Sequence, residues 1–317
     1  MGIRKNQSEL HLPEKKKFVD AVLKLKAEGT YDKFVDWHVK AANHPTPPNG
    51  DPNVRNAAHM GPHFLPWHRE FINRFELELQ KIDSSITLPY WDWTVDNSEN
   101  SSIWDDDFLG GDGSNSEHKV VTGPFAYDTG NWELTIKDDK GGDWPDPFLR
   151  RQLDTDQKDL PPEPALKVTY GLTSLSTQPI SIRSTLPTTN EVDHALTVIP
   201  YDHEPWTASS EPNTSFRNTL EGWLPKPPPQ LHNLVHMWVG GSMVTMSSPN
   251  DPVFFLHHSM IDRIWASWQQ KHPDQGFLPV NGGPQGQNLG DAMFPWDTTA
   301  ADVLDISSLG YSYDTLI

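Results

Sequence analysis

The chain has 317 residues, a net charge of −18 and a pI near 5.0, so it has no cation surplus with which to neutralise a phosphate backbone, and nucleic acid is not an expected partner. There is no cysteine, which removes disulfides, thiolate metal sites and thiol nucleophiles. No apolar run approaches the roughly 18 residues of a spanning helix, so no membrane partner is expected either.

The N-terminus, MGIRKNQSELHLPEKKKF, lacks the apolar core of a signal peptide; the expected location is cytoplasmic, or outside the cell after export by a partner. Residues 13–28 predict an amphipathic helix with Phe18, Val22 and Leu25 on one face and Gly29 at its end. Thr30 is placed to cap a second helix over 31–42, where Phe34, Val35 and His38 fall at core spacing. Residues 43–58 form a Pro/Gly/Asn loop that delivers His59 from irregular backbone. The clearest helix spans 65–83, with Phe71, Ile72, Phe75 and Leu79 as its buried stripe. LPYWDW at 88–93 is expected to pack across the helices. Residues 94–190 are rich in Gly, Asp, Ser, Asn and Pro, and predict long loops around the helices with short strands near 119–136. Short helices are expected at 190–198 and 215–224, followed by the stiff spacer PKPPP.

The densest chemistry lies at 229–263. His232 and His236 are four apart, which on a helix stacks both imidazoles on one face. Gly240 and Gly241 close that helix, and a second should start near Asn250–Asp251–Pro252, carrying His258 inward with Phe254, Phe255, Ile261 and Trp265. The chain therefore holds H-x3-H-x21-H here and H-x20-H-x8-H upstream, at His38, His59 and His68. Two three-histidine sets on four helices point to a dinuclear metal site inside a helical bundle. Imidazole suits copper, zinc, iron and nickel, and divalent copper binds most tightly. Zinc would call for a hydrolytic arrangement, and HEXXH is absent. His11, His44, His63, His118, His194, His203 and His272 lack such context and read as packing or surface residues.

The segments FLPWHREF, TLPYWDW, FRNTLEGW, LHNLVH, MWVGG and NDPVFFLHH resemble the bacterial-type tyrosinases, the type-3 copper proteins, from about residue 12 to the end. The resemblance implies a mainly α fold: one domain over 1–317, with a central four-helix bundle, long loops and minor β structure. It implies two copper ions, copper A on His38, His59 and His68 and copper B on His232, His236 and His258, with O2 as co-substrate and a phenolic small molecule as substrate. His257 matches a non-ligating position. Glu221 and Asn233 match a pair that helps deprotonate incoming phenols. Met237 stands where some bacterial relatives have arginine, a place expected at the pocket mouth, and PKPPP is longer than in relatives. No covering domain follows the core, so an open enzyme is expected.

The implied activity is ortho-hydroxylation of monophenols and oxidation of ortho-diphenols to ortho-quinones. Two alternatives share the site: a catechol or ortho-aminophenol oxidase, and, more remotely, a reversible O2 carrier. Some members need a small accessory protein for copper loading; that partner and a homodimer are left open by the sequence. Asp262, four residues after His258, offers itself as a partner for an imidazole, a helix cap or a mate for Arg263.

Overall fold

The fold comes from a computed structural model, which describes residues 1–138, 143–153, 157–159, 180–181, 183, 185–223 and 230–317. Seven α-helices occur among the described residues: α1 (Leu12–Ala27), α2 (Thr30–Ala42), α3 (Phe64–Ile82), α4 (Thr189–Ala195), α5 (Phe216–Glu221), α6 (Leu231–Val239) and α7 (Val253–Lys271). Strand is confined to pieces of two or three residues. The pairs are β1 (Gly2–Arg4) with β6 (Tyr311–Tyr313), β2 (Gly113–Ser114) with β3 (Lys119–Val120), and β4 (Gln157–Lys158) with β5 (Ile180–Ser181). The class is mainly α, as the resemblance implies.

The helices form where the apolar spacing places them. Phe18, Val22 and Leu25 bury the inner face of α1, and Phe71, Ile72, Phe75 and Leu79 that of α3. Thr30 does not cap α2. Gly29, at φ +71°, ends one helix and starts the next within a single residue, so Thr30 is already the first helical position. Pro252 is the N-cap of α7, and Asp251 just before it accepts the Val253 N–H on its Oδ1 at 3.1 Å. Gly240, at φ +68°, stops α6.

Strand near 119–136 is limited to β3; Gly123, Pro124 and Gly130 interrupt the alternation beyond it. That stretch lies on the helices as loop, anchored by buried Trp132, whose indole donates to the Asn250 carbonyl at 3.2 Å and whose ring meets Tyr31 at 4.7 Å. Trp91 and Trp93 are fully buried, so LPYWDW packs across the helices as expected. PKPPP, at 225–229, lies outside the described residues.

α3 and α7 are both 19 residues long and cross at the centre, with Phe71 and Phe255 stacked at 5.7 Å and Phe75 and Phe255 at 3.6 Å. The chain ends meet beside them. β1 pairs in parallel with β6, and buried Arg4 reaches inward from β1 to Glu76 on α3 and Asp262 on α7. This pairing of the two termini has no signature in either segment.

Candidate metal centre

α2, α3, α6 and α7 converge their histidines at one place. His38, His59 and His68 form one cluster, with ring centroids 5.0, 5.0 and 5.7 Å apart. His232, His236 and His258 form the other, at 4.5, 4.9 and 5.6 Å, and His257 lies within the same group. The two clusters face each other: His68 and His258 stack at 4.2 Å and 14°. Phe254, fully buried, packs against His38 and His258 between the clusters and does not line the cavity above them.

Four of the helical histidines are each oriented by an oxygen on Nδ1, while the Nδ1 of His258 is buried without a partner. His38 Nδ1 donates to the Met246 carbonyl at 2.6 Å, His68 Nδ1 to the Phe64 carbonyl at 2.8 Å, and His236 Nδ1 to the Met243 carbonyl at 2.8 Å. His232 Nδ1 donates to Asn233 Oδ1 at 2.9 Å and leans on the Glu221 carbonyl at 3.3 Å. A ring that donates through Nδ1 keeps its lone pair on Nε2. The Nε2 atoms of His38, His68 and His232 are buried without a partner, and those of His236 and His258 lie 3.4 Å apart. Burial lowers every one of these pKa values, to about 3 for His38 and about 4 for His236, so the rings are neutral at pH 7. Converging neutral imidazoles with orphaned ring nitrogens are the donor set that a soft-to-borderline divalent or cuprous ion requires, and the residues fit such a metal.

His59 comes from loop rather than helix. Asn56 holds that loop: its Oδ1 accepts the N–H of Ala58 at 3.1 Å and of His59 at 2.8 Å. Gln287, fully buried and distant in sequence, clamps it from the tail, donating to the Asn56 carbonyl at 3.1 Å and accepting the His63 N–H at 2.8 Å.

A cavity of about 20 Å³ opens on His38, His59, His232 and His236, with Met60, Trp223, Asn233 and Met246 among its other walls. It has room for a water. Asn233 lines it, and with Oδ1 committed to His232 its Nδ2 is a buried donor without a partner. Glu221 stands just outside the lining. Its Oε1 accepts the N–H of Met60 at 2.6 Å and its Oε2 pairs with Arg217 at 3.0 Å. Burial pushes the Glu221 carboxyl up, and Arg217 opposes that shift.

Two expectations change here. Met237 is fully buried and does not line the cavity; one position past His236 on the helix, its side chain turns about 100° away into the core. Asp262 holds no imidazole and does not pair with Arg263. It takes Arg69, Arg4 and the hydroxyls of Tyr311 and Tyr313, while Arg263 pairs with Asp92 at 3.2 Å. Trp93 and Gln287 support the site through contacts distant in sequence that no local pattern marks, whereas Arg217 pairs with Glu221 at i,i+4, a spacing that could have found it, and is held in turn by Asp202.

The comparisons with known proteins agree with this geometry. Residues 28–271 match the family model described as the common central domain of tyrosinase. A tyrosinase from Streptomyces glaucescens is 42% identical over 99% of this chain and 100% of its own length. The chain belongs to the tyrosinase family. It is a bacterial-type tyrosinase-family phenol oxidase of the type-3 copper class, with two copper ions as cofactor. A grixazone synthase from Streptomyces griseus, 40% identical over 98% of the chain and 99% of its own length, shows that relatives this similar carry more than one named activity. A polyphenol oxidase structure from Thermothelomyces thermophila shares the fold, with a TM-score of 0.64 at 21% identity over 99% of this chain and 89% of that one.

Proposed function

We propose that His38, His59 and His68 hold copper A, that His232, His236 and His258 hold copper B, and that Asn233 and Glu221 assist deprotonation of a monophenol. The observation that supports the ligand assignment is the convergence of six buried imidazoles in two facing clusters; in His38, His68, His232 and His236 an oxygen acceptor occupies Nδ1, and the Nε2 of the first three is left without a partner. Bound copper would supply O2 binding and the two-electron redox chemistry that makes an ortho-diphenol from a monophenol and an ortho-quinone from the diphenol.

The chain's own residues supply the rest. Phenol has a pKa near 10, so at neutral pH a monophenol arrives protonated and needs a base. The unpartnered Asn233 Nδ2 is a donor for a water in the cavity, and Glu221, whose Oε1 already binds the backbone of the wall residue Met60, is the carboxylate to which that water would pass the phenol proton. All six imidazoles are buried, which supports copper delivery by an accessory protein that presents the ion at the cavity mouth.

The test is O2 uptake by copper-loaded protein with tyrosine and with its ortho-diphenol, together with copper content. Uptake on both substrates, abolished by a chelator, is expected. His258→Asn should lower copper from two ions per chain to one, and His257→Asn should keep two. Uptake on the diphenol alone would select the second reading, a catechol or ortho-aminophenol oxidase, which the grixazone synthase relative keeps in view.

A further inference from the structure

The copper B half contains four buried imidazoles, one more than the site uses. His257 is fully buried, nearly parallel to His232 at 5.2 Å and 16°, and 5.0 and 5.1 Å from His236 and His258. Proximity alone would admit it as a ligand. Hydrogen bonding separates it from His232 and His236. His38, His68, His232 and His236 each present Nδ1 to an oxygen that can only accept, so Nδ1 carries the hydrogen and Nε2 the lone pair. His257 has the reverse environment: its Nδ1 faces the indole Nε1 of Trp93 at 3.2 Å. An indole N–H can only donate. His257 Nδ1 must therefore hold a lone pair, and the neutral ring carries its hydrogen on Nε2.

We propose that Trp93 is a positioning residue that locks His257 in the Nε2–H tautomer, withholds it from copper B, and so keeps that copper at three imidazoles with coordination positions open for phenol and O2. The proposal rests on the copper B assignment above. A fourth imidazole would close one of those positions, the difference between a closed structural site and an open catalytic one.

The lock is fixed to the helix that carries its target. The Trp91 N–H donates to the carbonyl of Leu256, the residue before His257, at 3.1 Å. The Trp93 N–H turns back to the Trp91 carbonyl at 3.0 Å, and the Trp91 indole donates to the Asp96 carbonyl at 2.8 Å. Trp93 is fully buried, so its indole has no alternative position in solvent. The same arrangement lets His257 brace the face of His232 without competing for the metal.

Two measurements test this. In the copper-free wild-type protein, nitrogen-15 NMR of labelled histidine should find the hydrogen of His257 on Nε2, and that of His38, His68, His232 and His236 on Nδ1. A hydrogen on His257 Nδ1 overturns the proposal. In the copper-loaded protein, Trp93→Phe frees Nδ1 and lets His257 turn its lone pair toward copper B. Diphenol turnover should then fall about tenfold, and copper should leave to a chelator more slowly by a similar factor, the scale of ligand-orienting substitutions. The double variant W93F/H257F should recover both to within about threefold of wild type. A double variant as slow as W93F means that Trp93 acts only through packing, and overturns the proposal. The NMR arm needs neither a folded variant nor copper. Failure of the ligand assignment would show separately, as a His258→Asn protein that keeps both coppers.

Discussion

Glu221 shares one guanidinium with Asp202. Arg217 bonds Asp202 Oδ2 through Nε at 2.9 Å and Glu221 Oε2 through Nη1 at 3.0 Å, all three side chains being buried. Glu221→Gln removes the charge and keeps an acceptor for the Met60 N–H, while Arg217 retains Asp202. The stability loss should therefore be well under the roughly 3–5 kcal/mol of an orphaned buried charge. Monophenol turnover should drop on the order of 100-fold, the usual scale of a lost general base, with diphenol turnover within about threefold. Equal losses on both substrates, measured on protein of unchanged copper content, would sink the base assignment. At this scale the pairing of His232 with His236 was legible, because a spacing of four on a predicted helix puts both rings on one face; the other four proposed ligands were singled out with the family motifs around them. Trp93 and Gln287 were not, since each acts on a residue far away in sequence; Arg217 stands one helical turn before Glu221, a spacing that could have signalled the pair. Met237 misled because adjacency to His236 in sequence is not adjacency in a helix.

At the scale of elements, α3 and α7 each carry one ligand of the proposed pair, and next to each ligand lies a charge. Arg69 follows His68, and Asp262 stands one turn beyond His258; the two form an ion pair between the helices, with Arg69 also over the Trp265 ring at 3.7 Å. Arg4, from the first strand, joins the same carboxylate and lies 3.5 Å from the Tyr311 ring centroid, so both chain ends are held by the network that spaces the two helices. Asp262→Asn leaves Arg69 without its carboxylate in a site from which water is excluded. The expected cost is about 3–5 kcal/mol, or a fall in Tm of roughly 10 °C. A Tm within about 2 °C of wild type would show that the pair is not a brace. The helices themselves were readable from the apolar period of Phe71, Ile72, Phe75 and Leu79. The brace was not, because an aspartate on an apolar helix reads equally as a cap, a neighbour's mate or a partner to a distant arginine. The loop carrying His59 was recognisable only as loop; the Asn56 and Gln287 bonds that give it shape come from turn geometry and from the tail.

Across the whole molecule, burial of the metal centre has a consequence for pH. His63, in the loop before α3, titrates near 4, His236 also near 4 and His38 near 3, because burial disfavours the imidazolium; His59, His68, His232, His257 and His258 are pushed well below 6.5 for the same reason. Unfolding returns each ring to a pKa of about 6.5. Below that pH the unfolded chain binds more protons than the folded one, so stability falls as pH falls, by up to about 1.4 kcal/mol per pH unit for each ring. Carboxylates such as Asp262, whose pKa is lowered by Arg69 and Arg4 against the opposing effect of burial, contribute only further into acid, and Glu221, pushed up, opposes the trend by a single proton. The window between about 6.5 and 4 thus belongs to the histidines, and a few of them together match a typical stability of about 5–15 kcal/mol. Copper-free protein should hold a flat Tm above about pH 7 and lose it steeply below pH 6.5. Bound copper occupies the lone pairs that protons would take and binds only the folded chain, so the acid limb of the loaded protein should lie at lower pH. Thermal unfolding of both forms from pH 8 to 4 checks this. Coincident acid limbs would mean that these imidazoles do not hold the metal, and a copper-free Tm independent of pH would mean that they are not buried neutral.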